Sequence, residues 1–302
     1  SVIGVANGTD AIELSLRALD IGFGDEVITV SHTAIATVAA IECTGAKPIL
    51  VDIETEFYTI NPDLIEKAIT NKTKAIIVVH LYGQSANLDE IIKICNKNDV
   101  FLIEDVSQAH GAKYKNLKLG NYGVVGCFSC YPTKNLGAIG DAGLVTTNNK
   151  KLGEKIKYLR EYGWKKKNNS ILSGRNSRLD EVQASILRVK LKFLDHFNNK
   201  RKKIAQRYIN DLSKIKIILP KFRMKCTHVF HLFVIQVEKR DKFLEFLKKH
   251  DILAGIHYPI PVHLQTNYKN KISVTSSLSE TEAICKKIVS LPYIVIISFR
   301  FL

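Results

Sequence analysis

From residue 2 to residue 105 short apolar runs alternate with stretches of helical periodicity, and this alternation leaves few folds open to the chain. Val2–Ala6 predicts a strand. Thr9–Asp20 predicts a helix, with Ile12, Leu16 and Leu19 on one face. Glu26–Val30 predicts a strand, Thr33–Cys43 a helix and Pro48–Asp52 a strand. Asn61 caps the next helix, with Pro62 in its first position. Ala75–Leu81, Leu88–Asn96 and Val100–Asp105 then read as strand, helix and strand. Such repetition implies a mostly parallel sheet with helices on both faces, an α/β fold. Ligands of parallel sheets gather at the carboxyl ends of the strands, which directs attention to the segments just after Ala6, Val30, Leu81 and Ile103.

The texture changes from about Gly153, where long helical patterns begin. Ser177 is expected to cap a helix, with Asp180 three residues on closing a capping box. Leu179, Val182, Ile186, Val189 and Phe193 follow at helical spacing. A charged stretch, Arg201–Asp211, leads to an expected strand (His228–Val237), helix (Asp241–His250) and strand (Ile256–Pro259). The expected division is a large domain over residues 1–190, then a linking helix and a smaller C-terminal α/β domain over residues 191–302.

Hydrophobic residues make up 46% and charged residues 24%, an ordinary globular balance. No apolar run approaches the ~20 residues of a membrane helix, so no membrane partner is expected. Ser1–Ala6 carries neither a basic segment nor a cleavage pattern, which points to a cytoplasmic protein. The net charge of +15 raises a nucleic-acid partner as one reading. The clusters Lys165–Lys167 and Arg201–Lys203 lack interleaved aromatic residues, however, so a solvated lysine-rich surface is the expectation. Positive potential of this kind also attracts an anionic substrate, such as a nucleotide-linked one. Cys127 and Cys130 have CxxC spacing, but they sit on an expected strand and face opposite sides. Reduced buried thiols are expected there, and no metal site.

Four pieces carry chemistry. Asn7-Gly8-Thr9-Asp10 joins a strand to a helix, where free backbone N–H groups form either a phosphate seat or a simple helix cap. Glu104-Asp105 ends an apolar strand, where a carboxylate needs a cation or hydrogen bonds. A protonated pyridine nitrogen or a Mg²⁺ ion would both serve. Lys134 lies in a short turn after Ser129 and is followed by Gly137, Gly140 and Gly143. A partly desolvated amine in such a turn suits Schiff-base chemistry. The fourth piece is Gly174-Arg175-Asn176-Ser177-Arg178-Leu179-Asp180-Glu181-Val182-Gln183, which reads as a capped helix start.

In this order and at these separations, the four pieces resemble the sugar aminotransferases of the DegT/DnrJ/EryC1/StrS family. The likeness extends from about residue 2 to about residue 268 and includes Gly24-Asp25-Glu26-Val27-Ile28, His80-Leu81-Tyr82-Gly83-Gln84 and Ile256-His257-Tyr258-Pro259-Ile260-Pro261-Val262-His263-Leu264-Gln265. The resemblance implies a fold-type-I transferase dependent on pyridoxal 5'-phosphate (PLP). It implies that Lys134 forms the Schiff base and shuttles the proton, and that Asp105 pairs with the pyridine nitrogen. Gln108 would bond the phenolic oxygen of the ring. Gly8, Thr9 and Ser129 would hold the phosphate, and Asn176 would reach the phosphate in a neighbouring subunit, making a homodimer with shared sites.

The implied reaction moves an amino group from L-glutamate to a nucleotide-linked keto sugar. The segments around His32 and His257 look most like the branch that aminates C3 of dTDP-3-keto-6-deoxyhexoses. Amination at C4 and a truncated relative that binds PLP without turnover are the alternatives. The dehydratase branch carries histidine in place of the lysine, and Lys134 argues against it. Three departures from the family pattern stand out. Family members usually have several tens of residues before the segment that opens this chain. Many carry a ring-stacking aromatic at the position of Ala34, for which His32 is a candidate substitute. The tail after about Ser273 is expected to leave the family pattern, ending in the apolar run Ile294–Leu302.

Overall fold

The computed structural model describes residues 1–293; the run Ile294–Leu302 lies outside the described residues. In chain order the elements are β1 (Val2–Val5), α1 (Gly8–Ala18), β2 (Glu26–Val30), α2 (Ile35–Cys43), β3 (Lys47–Val51), α3 (Pro62–Ala68), β4 (Thr73–Val79), α4 (Leu88–Asn98) and β5 (Phe101–Asp105). A small hairpin follows, β6 (Lys113–Tyr114) and β7 (Leu117–Lys118), then β8 (Val125–Ser129), β9 (Gly143–Thr146) and α5 (Lys150–Leu159). A second hairpin, β10 (Trp164–Lys166) and β11 (Asn169–Ser170), precedes α6 (Glu181–Leu191) and α7 (Leu194–Leu212). The chain continues through β12 (Phe233–Gln236), α8 (Arg240–Lys249), β13 (Ser273–Val274), α9 (Ser279–Cys285) and β14 (Ile288–Leu291).

Eight strands form one sheet in the order β1-β9-β8-β5-β4-β2-β3-β13. All neighbours from β8 to β13 are parallel, while β9 is antiparallel to both β8 and β1. Two antiparallel steps return β1 to the direction of β8. The carboxyl ends of β1, β2, β4, β5 and β8 therefore share one edge, as the strand-helix alternation predicts.

Strand alternation divides the core in two. Ile28, Ile76 and Val78 face one layer with Ile65 of α3 and Leu88 and Ile91 of α4. Val27, Ala75, Ile77 and Ile103 face the other, with Ile12 and Leu16 of α1 and Ile156 of α5. α3 starts where Asn61 and Pro62 predict: the Asn61 side chain accepts from the Asp63 amide at 3.0 Å.

Beyond α6 the structure departs from the expected elements in three places. The strand expected at His228–Val237 contracts to Phe233–Gln236, because residues before it are used otherwise. The Val229 amide donates to the Gly83 carbonyl, and Phe230 takes a left-handed φ of 49°. Ile256–Pro259 forms no strand; the partner of β12 is β14, some 30 residues later in the chain by the numbers of Ile256 and Ile288. α6 begins at Glu181 with Asp180 in the cap position, so Ser177 does not cap it. The Ser177 hydroxyl donates instead to the buried Asp10 carboxylate at 2.6 Å, a charge-assisted bond that a backbone amide cannot match.

β12 and β14 pack with Ala205 of α7 and Leu247 of α8 in a separate core. The last segment also returns to the large sheet. β13 pairs in parallel with β3, and Asp52 accepts from the Glu280 amide (2.9 Å), the Thr281 amide (2.9 Å) and the Thr281 hydroxyl (2.7 Å) at the start of α9.

Candidate active site

At the shared carboxyl edge lies a cavity of about 460 Å³, lined by residues from four chain segments that follow β1, β2, β5 and β8. It brings together Gly8, Thr9, Asp105, Gln108, Ser129 and Lys134. The segment after β4 contributes less: Val79 lines the cavity, and the residues following it do not.

The anion seat comes from α1. Asn7 caps this helix by accepting from the Asp10 amide at 2.8 Å, which leaves the Gly8 and Thr9 amides free to face the cavity from the first turn. A Cβ on Gly8 would stand 2.6 Å from the Cβ of Ser129. Glycine thus lets the end of β8 approach the helix start, so that the Ser129 hydroxyl and the free amides converge.

The adjacent acids Glu104 and Asp105 have different tasks. Glu104 is fully buried and accepts from the amides of Gly120 (2.8 Å), Tyr122 (2.7 Å) and Gly123 (2.8 Å) and from His80 Nε2 (3.1 Å). Burial works to raise its pKa, but these bonds outweigh it and hold the carboxyl below the usual range. Its oxygens are committed to the protein, so it cannot join Asp105 in chelating a metal. Asp105 reaches the cavity, accepting from the Thr37 hydroxyl (3.0 Å) and the Ser107 amide (3.0 Å). A cationic ring nitrogen is the partner this single carboxylate suits.

Lys134 is held by a turn in which its amide donates to the Tyr131 carbonyl at 2.9 Å. Burial lowers the pKa of its amine, against the opposing pull of Asp105 and then Cys130. Among the described residues the amine forms no ion pair, and its lowered pKa favours the neutral form more than in an exposed lysine. Near it, His110 is buried with both ring nitrogens lacking a hydrogen bond of good geometry, and burial, then the charge of Lys134, pushes its pKa down to about 3 despite the nearby Ser129 backbone.

Gln108 is anchored at both ends of its amide. Oε1 accepts from the Tyr82 amide at 2.8 Å, and Nε2 donates to the Tyr258 hydroxyl at 3.0 Å. Burial pushes the Tyr258 hydroxyl up to about 12, so it stays protonated. Sequence reasoning missed Tyr258 as a site residue because its segment reads as a strand.

Two expectations fare differently. Asn176 is exposed and lies outside this cavity. Its neighbours tie it to the seat: Arg175 bridges Asp10 and Glu13, each at 2.6 Å, and Ser177 bonds Asp10. His32 does not substitute for the ring-stacking aromatic. It is 1% exposed, with Nε2 bonded to the Tyr82 hydroxyl at 2.7 Å and Nδ1 3.4 Å from Cys285 Sγ. Burial takes its pKa to about 4, with Asp52 opposing. Ala34 and Ala36 line the cavity instead.

The profile of the DegT/DnrJ/EryC1/StrS aminotransferase family matches residues 1–298. The tail after Ser273 therefore follows the family, contrary to the reading from sequence. The chain is 46% identical over 290 residues to dTDP-3-amino-3,6-dideoxy-alpha-D-galactopyranose transaminase of Aneurinibacillus thermoaerophilus, covering 96% of this chain and 79% of the relative. It is 41% identical over 291 residues to dTDP-3-amino-3,4,6-trideoxy-alpha-D-glucose transaminase of Streptomyces venezuelae (96% and 77% covered). It is 42% identical over 291 residues to UDP-N-acetyl-3-dehydro-alpha-D-glucosamine 3-aminotransferase of Acidithiobacillus ferrooxidans (96% and 78% covered). Among solved structures, S. venezuelae DesV superposes with a TM-score of 0.94 at 41% identity, covering 97% of this chain and 79% of DesV. NtdA of Bacillus subtilis, described with bound cofactor PMP, superposes with a TM-score of 0.89 at 34% identity (97% and 68% covered).

The close approach at Gly8 is testable without any ligand. Gly8→Ala is expected to destabilise the fold by about 1–3 kcal/mol through overpacking against Ser129. Urea unfolding of the two proteins measures this, and equal midpoints at equal slopes would show that α1 and β8 do not meet as described.

Proposed function

The chain belongs to the DegT/DnrJ/EryC1/StrS aminotransferase family, and from that premise we propose that it holds PLP on Lys134 and moves an amino group from L-glutamate to C3 of a dTDP-3-keto-6-deoxyhexose. The observation that carries this reading is the half-buried, unpaired Lys134 amine in one cavity with Asp105 and a helix-start anion seat. The donor set fits the cofactor. Free amides of Gly8 and Thr9 with the Ser129 hydroxyl suit a phosphate. Asp105 suits a pyridinium, and Lys134 suits an aldehyde carbon. When bound, PLP supplies an electron sink for the carbon that loses or gains the amino group.

The chain's own residues would do the rest. Lys134 Nζ would hold the cofactor and, as a free amine, would serve as the base that moves the proton. Asp105, steadied by Thr37 and Ser107, would keep a ring nitrogen protonated. Gln108 has one amide hydrogen committed to Tyr258 and a second left for the phenolic oxygen. The names of the A. thermoaerophilus and S. venezuelae relatives support a dTDP-linked 3-amino product. The A. ferrooxidans relative favours a second reading, a UDP-linked 3-keto sugar at the same carbon.

A homodimer with shared sites completes this reading. Asn176 lies outside its own cavity, and the following α6 leaves Val182 65% and Val189 53% exposed, with Phe193 46% exposed just before α7. The helical spacing of these residues is as expected, but among the described residues they stay about half exposed, an apolar surface that suits a two-fold interface.

Three outcomes are expected. Lys134→Ala should lose turnover and yield no borohydride-fixed PLP on the protein, and Asp105→Asn should bind PLP yet lose most activity. Label on another lysine, such as Lys113 or Lys118, or near-normal rates in Asp105→Asn would refute those roles. With L-glutamate and a dTDP-linked 3-keto or 4-keto 6-deoxyhexose, NMR should place the new amine at C3; amination only at C4 would reject the regiochemistry. Mixing Lys134→Ala with a strongly impaired Asn176→Ala chain should restore activity above either parent, since one site of the mixed dimer has both residues. No gain after verified subunit exchange would contradict the shared site.

A further inference from the structure

Beside Lys134 sits a buried hydrogen-bond chain that the reaction as proposed does not use. Asn198 of α7 is 3% exposed, and its Nδ2 donates to the His110 carbonyl at 2.9 Å. A carbonyl can only accept, so this bond fixes the orientation of the Asn198 amide. Its Oδ1 must then accept, and the donor is Asn135 Nδ2 at 2.8 Å. The same nitrogen donates to the Val229 carbonyl at 3.1 Å, a second unambiguous acceptor. The Asn135 oxygen therefore faces His231, whose Nδ1 lies 3.2 Å away and must carry the proton. His231 is thereby the Nδ1–H tautomer, 8% exposed, with its backbone held in turn: Arg201, one turn after Asn198 on α7, donates to the carbonyls of Phe230 and His231.

The consequence is geometric. Asp105 and Gln108 lie on the segment that ends at His110–Gly111, and Lys134 is the immediate neighbour of Asn135. Asn198 is bonded to both segments. Its side chain also stands where a Cβ on Gly111 would come within 3.0 Å, and Gly111 has a left-handed φ of 81°. No backbone ladder joins the Lys134 turn to residues 108–111, since the pairing of β5 with β8 ends at Asp105 and Cys127.

We propose that Asn135 and His231 are positioning residues that hold the Lys134 turn in register with Asp105, with Asn198 of α7 as their anchor. The proposal rests on the reading of Lys134 as the Schiff-base lysine. Neutrality of His231 belongs to the device, because a donated Nδ1 proton must not be joined by a second charge facing Lys134. Burial, then Lys134, Arg201, His110 and His257, keep the imidazole well below its ordinary range. The groups facing the Lys134 amine are Asp105, Cys130, His110, His231 and His257, and of these the three imidazoles are all held low.

The test compares three full-length variants. His231→Asn places an amide donor where Nδ1 stood, whereas His231→Leu and Asn135→Ala break the chain. Lys134 acetylation by acetic anhydride is followed against pH in the cofactor-free proteins by peptide mass spectrometry. The wild-type midpoint should lie below that of exposed lysines. In His231→Leu and Asn135→Ala it should rise by about one pH unit as the turn loosens and Nζ gains water. His231→Asn should keep the wild-type midpoint. With PLP added, borohydride trapping on Lys134 should slow on the order of a hundredfold in the first two and little in the third. An unchanged midpoint in His231→Leu and Asn135→Ala, whatever their melting temperatures, would overturn the proposal. If either fails to fold, His231→Gln against His231→Asn decides it, because glutamine places its donor one bond too far; equal midpoints and trapping rates for the pair would reject the tautomer assignment. Wild-type PLP trapped on a different lysine would instead refute the reading of Lys134 itself.

Discussion

A half-buried primary amine that no carboxylate pairs directly among the described residues is the constraint around which the cavity is built. Desolvation disfavours the charged form of Lys134, and Asp105 only partly opposes it. Keeping the two on one edge requires two separate chain segments to be held at fixed heights. The sheet fixes Asp105 directly, since β5 is central and paired on both sides. It fixes Lys134 only to Ser129, where β8 ends. The turn beyond is closed on itself by backbone bonds such as Ala138 N–H to the Cys130 carbonyl, and the side chains of Asn135 and Asn198 link it to the segment after β5. The same logic explains Glu104: a committed carboxylate there ties residues 120–123 and His80 behind the strand and leaves Asp105 alone in the cavity.

Much of the large sheet was legible because its signals are local. Glu26–Val30 lies between Gly24-Asp25 and Ser31, and the strand has the expected ends. Asn61-Pro62 marks α3 to the residue. The residues that line the cavity also announced themselves, since Gly8, Thr9 and Lys134 follow strands closely and Asp105 ends one. What was illegible depends on partners far away in the chain. Ser177 looks like a helix cap until Asp10, 167 positions distant, is placed beside it. His32 looks available to a ring until Tyr82 and Cys285 enclose it. Tyr258 meets Gln108 across 150 positions. β14 went unread, and its true partner β12 was instead expected to be followed by a strand at Ile256–Pro259, because strand pairing is set by packing rather than by local propensity.

α6 shows how a correct periodicity leads to an incomplete expectation. Val182, Ile186, Val189 and Phe193 recur at helical spacing, which within one chain implies a buried face. Here the buried positions of this region are Leu187 and Leu194, while Val182, Val189 and Phe193 stay exposed and Ile186 is half-buried. In the homodimer proposed above, a second copy of the chain would cover this apolar face. Arg175 and Ser177 bond Asp10 in the first turn of α1, which ties the segment carrying Asn176 to the helix start at the cavity.

Cofactor chemistry at Lys134 is the central claim, and the absorbance spectrum of the purified protein with PLP tests it most directly. The predicted result is a near-ultraviolet or visible Schiff-base band that appears on mixing and is bleached by L-glutamate. A spectrum equal to that of free PLP, unmoved by the protein and by glutamate, would contradict it.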